Sequence, residues 1–381
     1  MAIKNDCTKH VESATFPDLA WRRKLRRQLL NWFRRNARDL PWRDAPTPYQ
    51  TWVSEIMLQQ TQVATVVEYY QRFLKRFPDV QTLAAATEQE VLRCWEGLGY
   101  YRRARQLHLA AKTIMANHGG CFPTTFPEVL ALPGIGRYTA GAILSISLGL
   151  RHPIVEANTI RLFARLLHVS TEVTATRTQK QFWEFATWIL PHKHLSDFNQ
   201  ALMEVGSLIC TPKSPACDEC PLRTLCPTFV SQAFDKIPKP KQKTKSEQVQ
   251  EVAVVVQHRD GHRVLLRQCQ ADQRWAGLWD FPRFECDIKC SQELTTLEQQ
   301  QITQETHDLA YVQIDDLIPL TSIKHGVTKY RITLNCFSAK LIRDQTAKNP
   351  TLQWISLAEL DNYPLSTTGR KICKVLDREH V

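Results

Sequence analysis

The sequence has no apolar run long enough to cross a membrane. The best candidate, Ala140 to Leu150, is bounded by Arg137 and Arg151 and reads as a buried helix. The first residues carry Lys4, Asp6, Lys9 and Glu12 with no apolar segment, so no secretory signal is expected there. The expectation is an intracellular protein of the cytoplasm or nucleoid, with no membrane partner. Paired CxxC knuckles are absent from the twelve cysteines. In a reducing compartment such cysteines serve as metal ligands or buried free thiols rather than disulfides. Acidic charge is in deficit, with 38 Asp and Glu against 49 Lys and Arg, and the net charge of +11 favours a polyanionic partner. The length of 381 residues accommodates two domains, each with its own core.

What is present is organised around Leu130 to Asn158, which contains LPGIGRYTAGAILSISLGLRHPIVEAN. Gly134 and Gly136 permit positive φ and close backbone approach, and a helix is expected from Arg137 or Tyr138. Such a hairpin leaves N–H groups unpaired at a helix start, able to hold a phosphate of a nucleic-acid backbone without reading sequence. From PGIG alone a plain turn explains the residues equally well. Twenty residues on, Glu156 is expected at a loop or helix N-terminus.

Residues 1–19 read as a loose lead-in. From Trp21 a helical pattern sets in, with Leu25, Leu29 and Trp32 or Phe33 on one face and arginines over the rest, a solvated face by the usual rule. One long helix is expected over Thr51 to Phe77. Glu55 lies on it among apolar neighbours, where desolvation raises a carboxyl pKa toward the range of a general acid. A glutamate favoured by the helix dipole, or paired with an arginine, is the plainer alternative. Gln59, Gln60 and Gln62 offer amides for hydrogen bonds to bases. Tyr100 and Tyr101 beside Arg102 and Arg103 suit base stacking and phosphate contact, and core packing of a tyrosine suits them as well.

Cys210, Cys217, Cys220 and Cys226 form C-x6-C-x2-C-x5-C among prolines. Four thiolates in so short a segment are a metal site. Zinc is the default for four cysteines, but this spacing matches an iron–sulfur loop of the 4Fe-4S type. The other cysteines, including Cys7 and Cys290, read as free thiols. Ile237 to Lys245, IPKPKQKTK, is too polar and proline-broken to pack and reads as a linker. Beyond it, Val252 to Val256 reads as a buried strand, Asp260-Gly261 as a hairpin turn, and Arg263 to Arg267 and Tyr330 to Phe337 as further strands.

Taken together, SEIMLQQTQV, GLGYYRRARQL, LPGIGRYTAGAI, the four-cysteine loop and WAGLWDFP resemble one family: the adenine-specific mismatch glycosylases known as MutY, within the helix-hairpin-helix superfamily that includes endonuclease III. The resemblance implies a multidomain protein. An all-α helix-hairpin-helix glycosylase domain would span 20–234, with lobes 20–135 and 136–209 around the active site and the cluster loop at 210–226. A linker over 235–250 would lead to an α+β Nudix-like lesion-recognition domain over 251–381. The implied substrate is double-stranded DNA with adenine opposite 8-oxoguanine or guanine, the base being flipped out and its N-glycosidic bond hydrolysed by a monomer.

Position by position, the resemblance makes Glu55 the general acid and Glu156 the carboxylate that counters the oxocarbenium charge. Tyr138 and Asn158 would position them. Gln60 and Tyr100 match residues that wedge into the base stack, and Gly134 and Gly136 match the hairpin on the DNA backbone. Leu40, Trp42, Arg43 and Glu204 match the adenine pocket. Tyr138 stands where lyase-competent relatives carry lysine, which implies a monofunctional glycosylase.

Three departures stand out. VEAN replaces the family's aspartate followed by Gly-Asn, displacing the carboxyl by roughly 1.3 Å, a misplacement of the size that can cost a hundredfold in rate. In the second domain LEQQQITQETHDL supplies no magnesium-binding REXXEE core, so pyrophosphate hydrolysis is not expected. The family's Phe-Ser-His loop is here His325-Gly326-Val327-Thr328-Lys329, with Thr328 able to donate to a purine nitrogen. A non-catalytic lesion-binding protein and an abasic-site lyase of the endonuclease III type are the alternatives.

Overall fold

The structure is a computed structural model that describes residues 16–44, 46–240, 246–286 and 294–379. Most of the expected lead-in, Cys7, Cys290 and the lysine-rich core of the expected linker lie outside the described residues. Fourteen α-helices and seven strands are described. The first eleven helices are α1 (Leu19–Asn36), α2 (Pro48–Leu58), α3 (Val63–Arg76), α4 (Val80–Ala85), α5 (Glu88–Trp95), α6 (Arg102–His118), α7 (Phe126–Ala131), α8 (Arg137–Ser147), α9 (Ala157–Leu166), α10 (Thr176–Ile189) and α11 (Leu195–Glu204). A π-helical turn, Val205–Ile209, and a short α12 (Pro227–Ser231) follow. The C-terminal part contains β1 (Glu247–Gln257), β2 (Arg263–Gln268), β3 (Trp279–Asp280), β4 (Arg283–Glu285), α13 (Thr296–Ala310), β5 (Val312–Val327), β6 (Tyr330–Asp344), β7 (Leu352–Ser356) and α14 (Thr367–Glu379).

By their contacts these elements form two compact units that do not follow the linear order. One comprises the chain up to Ile56 with Phe122–Lys241; the other comprises Met57–Cys121 with Gln242–Val381. These units are drawn differently from the lobes expected at 20–135 and 136–209, with 57–121 grouped with the C-terminal part.

The first unit is helical. Leu25, Leu29 and Phe33 of α1 share a core with Phe163, Phe182, Phe185, Phe198 and Leu202. The expected solvated face of α1 is only partly so: Arg22 and Arg26 donate to the carbonyls of Trp188, Ile189 and Leu190 at the end of α10. A helix C-terminus presents unpaired carbonyls, and these guanidiniums satisfy them. Phe16, expected in the lead-in, packs on Phe185 and Trp188. Ile237, at the start of the expected linker, is buried in this core, and β1 already begins at Glu247.

The single helix expected over Thr51 to Phe77 is two. α2 stops at Leu58 and α3 starts at Val63, with Gln60 between them in the left-handed region at φ 58°. Arg103 fills the break, donating to the Met57 carbonyl at 3.0 Å, the Gln59 carbonyl at 2.5 Å and Thr61 Oγ1 at 3.2 Å. The guanidinium thereby supplies donors to carbonyls the ended helix leaves unpaired.

In the second unit the sheet runs β3-β2-β1-β6-β5, with β4 on β1 and β7 on β2. β1 and β6 are parallel, from Glu247 opposite Tyr330 to Gln257 opposite Lys340. Alternation along β1 serves two cores. Val252, Val254 and Val256 face Ile302 and Ala310 of α13, while Ala253 and Val255 face Ile372 and Leu376 of α14. Coverage of both faces explains why VAVVV reads as an unbroken apolar run.

Candidate active site

Glu55 sits on α2 and is 5% exposed, surrounded by buried Trp52, Val53 and Ile56. Burial pushes its pKa up to about 7, against the hydrogen bond from Tyr138, while the charge of Glu156 raises it further. The Tyr138 hydroxyl, one residue into α8, donates to Glu55 Oε2 at 2.5 Å and lies 3.1 Å from Met203 Sδ. Its single proton goes to the carboxylate, the better acceptor, so Met203 contributes packing. Desolvation and the two carboxylates hold the phenol well above its ordinary value, fixing it as a donor.

Glu156 is the N-cap of α9 and is half-buried. Its Oε2 accepts from the Asn158 N–H at 2.8 Å and its Oε1 from the Thr159 N–H at 2.9 Å, while Thr159 Oγ1 accepts the Glu156 N–H at 2.8 Å. The longer side chain folds back so that each oxygen takes one N–H, a reciprocal cap built on glutamate. Burial raises its pKa, opposed by these backbone donors and by Arg161. The side chain of Asn158 turns elsewhere: Oδ1 accepts from Arg161 at 2.7 Å, and only the backbone of Asn158 serves Glu156. Arg161 also donates to the carbonyls of Gly206 and Cys210, both at 2.6 Å, joining α9 to the π-helical turn and the first cysteine of the loop. Gly206 is required there, since a Cβ would stand 2.8 Å from Asn158.

Glu204, on α11, is 1% exposed and fully engaged. Arg38 donates to both its oxygens at 2.8 Å, and Arg43 reaches Oε2 at 2.6 Å. Burial would raise its pKa, but the two guanidiniums outweigh it and hold the carboxylate at about 2. Arg43 also lies over the Phe33 ring, and Leu40 and Trp42 are buried in the turn after α1. Of the hairpin glycines only Gly134 needs its freedom, at φ 75°. Gly136 is extended, a Cβ there would meet nothing, and as N-cap of α8 it offers no side chain to the exposed N–H groups.

In the second unit Gln60 and Tyr100 both have positive φ, 58° and 49°. Arg103 ties their loops together, adding bonds to the carbonyls of Leu98 and Gly99 and a stack over the Tyr100 ring. Tyr100 is 51% exposed. Thr328, at φ 52°, turns β5 into β6 and donates to the Val327 carbonyl at 2.7 Å. His325 Nε2 faces Arg283 at 3.2 Å, and Arg283 is paired to buried Glu251.

Cys210, Cys217, Cys220 and Cys226 line one small cavity with Arg165 and Leu222. Among the described residues no three His, Cys, Asp or Glu side chains converge tightly enough for a single metal ion. Four thiols around a shared space fit a polynuclear cluster instead. Arg165, 2% exposed, donates to Cys210 Sγ at 3.2 Å and to the carbonyls of Thr211 and Ile237. Arg161 and Arg165 were not foreseen as site residues. Two arginines one turn apart among Leu162, Phe163, Ala164 and Leu166 are the signal that would have marked them, because arginine enters a core only against a partner.

Residues 53–187 match the family described as HhH-GPD superfamily base excision DNA repair protein, 252–375 match the NUDIX domain, and 210–226 match the iron–sulfur binding domain of endonuclease III. The cofactor is a 4Fe-4S cluster. An adenine DNA glycosylase of Buchnera aphidicola from Schizaphis graminum is 38% identical over 68% of this chain and 75% of its own. That of Rattus norvegicus is 31% identical over 96% of this chain and 80% of its own. In structure, a thermostable thymine-DNA glycosylase superposes with a TM-score of 0.52 at 28% identity, covering 56% of this chain and 98% of its own.

Proposed function

We propose how this chain, which belongs to the adenine DNA glycosylase family, carries out base excision. Its substrate is duplex DNA with adenine opposite 8-oxoguanine or guanine, bound by a monomer, and the adenine is flipped out before reaction. The observation that carries the reading is Glu55: a buried carboxyl with a pKa of about 7, oriented by Tyr138 and within the field of Glu156. At neutral pH a large fraction of Glu55 is protonated, as a general acid requires.

Glu55 gives its proton to a ring nitrogen of the extruded adenine, so the base departs neutral when the C1′–N9 bond breaks. The sugar becomes an oxocarbenium-like cation, and Glu156 counters that charge as its anion, which the α9 backbone donors favour against burial. Water adds at C1′, its proton returns to Glu55, and an abasic site remains. Among the described residues no lysine hydrogen-bonds Glu55, Tyr138 or Glu156, which supports hydrolysis over imine formation. Cys210, Cys217, Cys220 and Cys226 would hold the cluster, which when bound cross-links the loop after α11. Gln60 and Tyr100 would wedge into the stack, Gly134 and Gly136 would hold a phosphate, and His325 and Thr328 would face the base opposite adenine. Arg43 and Glu204, with Leu40 and Trp42, would wall the adenine pocket.

The test is single-turnover adenine release from duplexes that differ only in the opposing base. Glu55→Gln is expected to lose at least about a thousandfold in rate while duplex binding survives. Release at the wild-type rate would overturn the assignment.

A further inference from the structure

α5 presents Gln89, Arg93 and Glu96 at helical spacing, and all three bond to the C-terminal part of the same unit. The Gln89 amide donates to the Gly277 carbonyl and accepts from Trp279 Nε1, both at 3.0 Å. Arg93 donates to the Asp361 carbonyl at 2.6 Å. Glu96 receives Arg370 of α14 through both oxygens, at 2.7 and 3.0 Å, and also the Leu365 N–H at 3.2 Å.

The Arg370 guanidinium has no spare donor. Its other N–H groups go to Asp361 Oδ1 and to the carbonyls of Leu360 and Tyr363. The pair is mostly buried, at 18% and 10% exposure, so water screens it little. The backbone of Gly277 packs directly on side chains of α5: it is at φ 87°, and a Cβ on it would stand 3.1 Å from Glu88 Oε1 and Leu92 Cδ1. Within Gly277-Leu278-Trp279-Asp280, Gly277 and Trp279 are therefore occupied in holding α5.

What lies downstream of Glu96 gives this contact its consequence. Glu96 ends α5, and the chain passes through Gly97 and Gly99, both at positive φ, directly into Tyr100. Arg103 then bonds that turn to the Gln59–Thr61 loop carrying Gln60. We infer that the Arg370–Glu96 pair is a latch through which the C-terminal domain sets the position of the Gln60 and Tyr100 loops, making both residues determinants of lesion specificity rather than of catalysis. This rests on the reading that the C-terminal domain inspects the base opposite adenine.

The experiment uses full-length, cluster-containing protein with Arg370→Met, Glu96→Gln or Gln89→Ala, the last two keeping the fold testable if Arg370→Met misfolds. Single-turnover adenine release is measured on duplexes with 8-oxoguanine or guanine opposite, together with amide hydrogen exchange. The expected result is a fall of about tenfold in the ratio of the two rates, carried by the 8-oxoguanine duplex, with the guanine rate held. Exchange should speed up over residues 97–101 and stay slow in β1 and β6. An equal fall on both duplexes would mark a merely structural contact and overturn the latch, as would an unchanged ratio. If wild-type protein does not distinguish the duplexes, the lesion reading fails, and the exchange over 97–101 alone decides whether the latch exists.

Discussion

A carboxyl with a pKa near neutrality makes the rate follow its protonation. The acid form of Glu55 is the one that donates, so single-turnover adenine release is expected to hold below pH 7 and fall as pH rises through about 7. The Tyr138 hydrogen bond favours the anion and restrains that value. Tyr138→Phe should therefore move the alkaline limb to higher pH, while looser placement of the carboxyl lowers the plateau about tenfold. A pH–rate profile of the two proteins checks both, and a limb that stays put or moves down would remove Tyr138 from this role. Glu55 was legible in the sequence because its apolar neighbours are local and a buried carboxyl needs few residues to recognise. Glu204 and Arg43 were both singled out in the sequence, but their pairing with each other and with Arg38 was not legible, because only folding brings the turn after α1 to α11. The turning of the Asn158 side chain toward Arg161, three residues on in the same helix, was hidden for another reason: a motif fixes a residue's position and not its rotamer.

Among the elements, α9 is capped by Glu156, at the position where the resemblance leads to an aspartate. Aspartate is a favoured N-cap and takes the N–H two or three residues on, whereas Glu156 takes both at once. Glu156→Asp is expected to retain the cap within about 1 kcal/mol and to release adenine within about tenfold of the wild-type rate. Glu156→Gln keeps the length but not the charge, and should lose about a hundred- to a thousandfold. Single-turnover kinetics with urea midpoints for both variants test this, and a Gln variant as fast as wild type would exclude the charge from the chemistry. The hairpin entering α8 could be read closely, since its glycines are local punctuation. The break between α2 and α3 could not. It contains neither glycine nor proline, the apolar stripe resumes at Val63 and Val66, and the arginine that satisfies the break lies beyond α5. β5 escaped notice because register shifts interrupt its alternation, one at Asp316 with φ 58°, and because Pro319 is tolerated only on an edge strand, which this one is.

At the scale of the molecule, the two compact units differ in what holds them. The second has a sheet with a helix on each face and apolar cores on both sides, sufficient without a cofactor. The first has a helical core, but residues 210–226 contain only short turns, and of them only Cys210, Leu222 and Leu225 are buried in that core. A segment with so little to bury depends on its metal cross-link, and buried Arg165 depends on the segment for the carbonyl and sulfur acceptors of its guanidinium. Removing iron should therefore open 210–226, leave Arg165 with only the Ile237 carbonyl as acceptor at a cost of about 3 kcal/mol, and lower the melting of the first unit alone. The expected record is loss of the absorbance near 400 nm together with new tryptic cleavage at Lys213 and Arg223, while hydrogen exchange in β1 and β6 stays slow. DNA binding should weaken in parallel, because the hairpin at Gly134 and Gly136 belongs to the unit that loosens. If iron-free protein kept the segment closed to protease and the first unit's melting unchanged, the cluster would have no part in holding this fold.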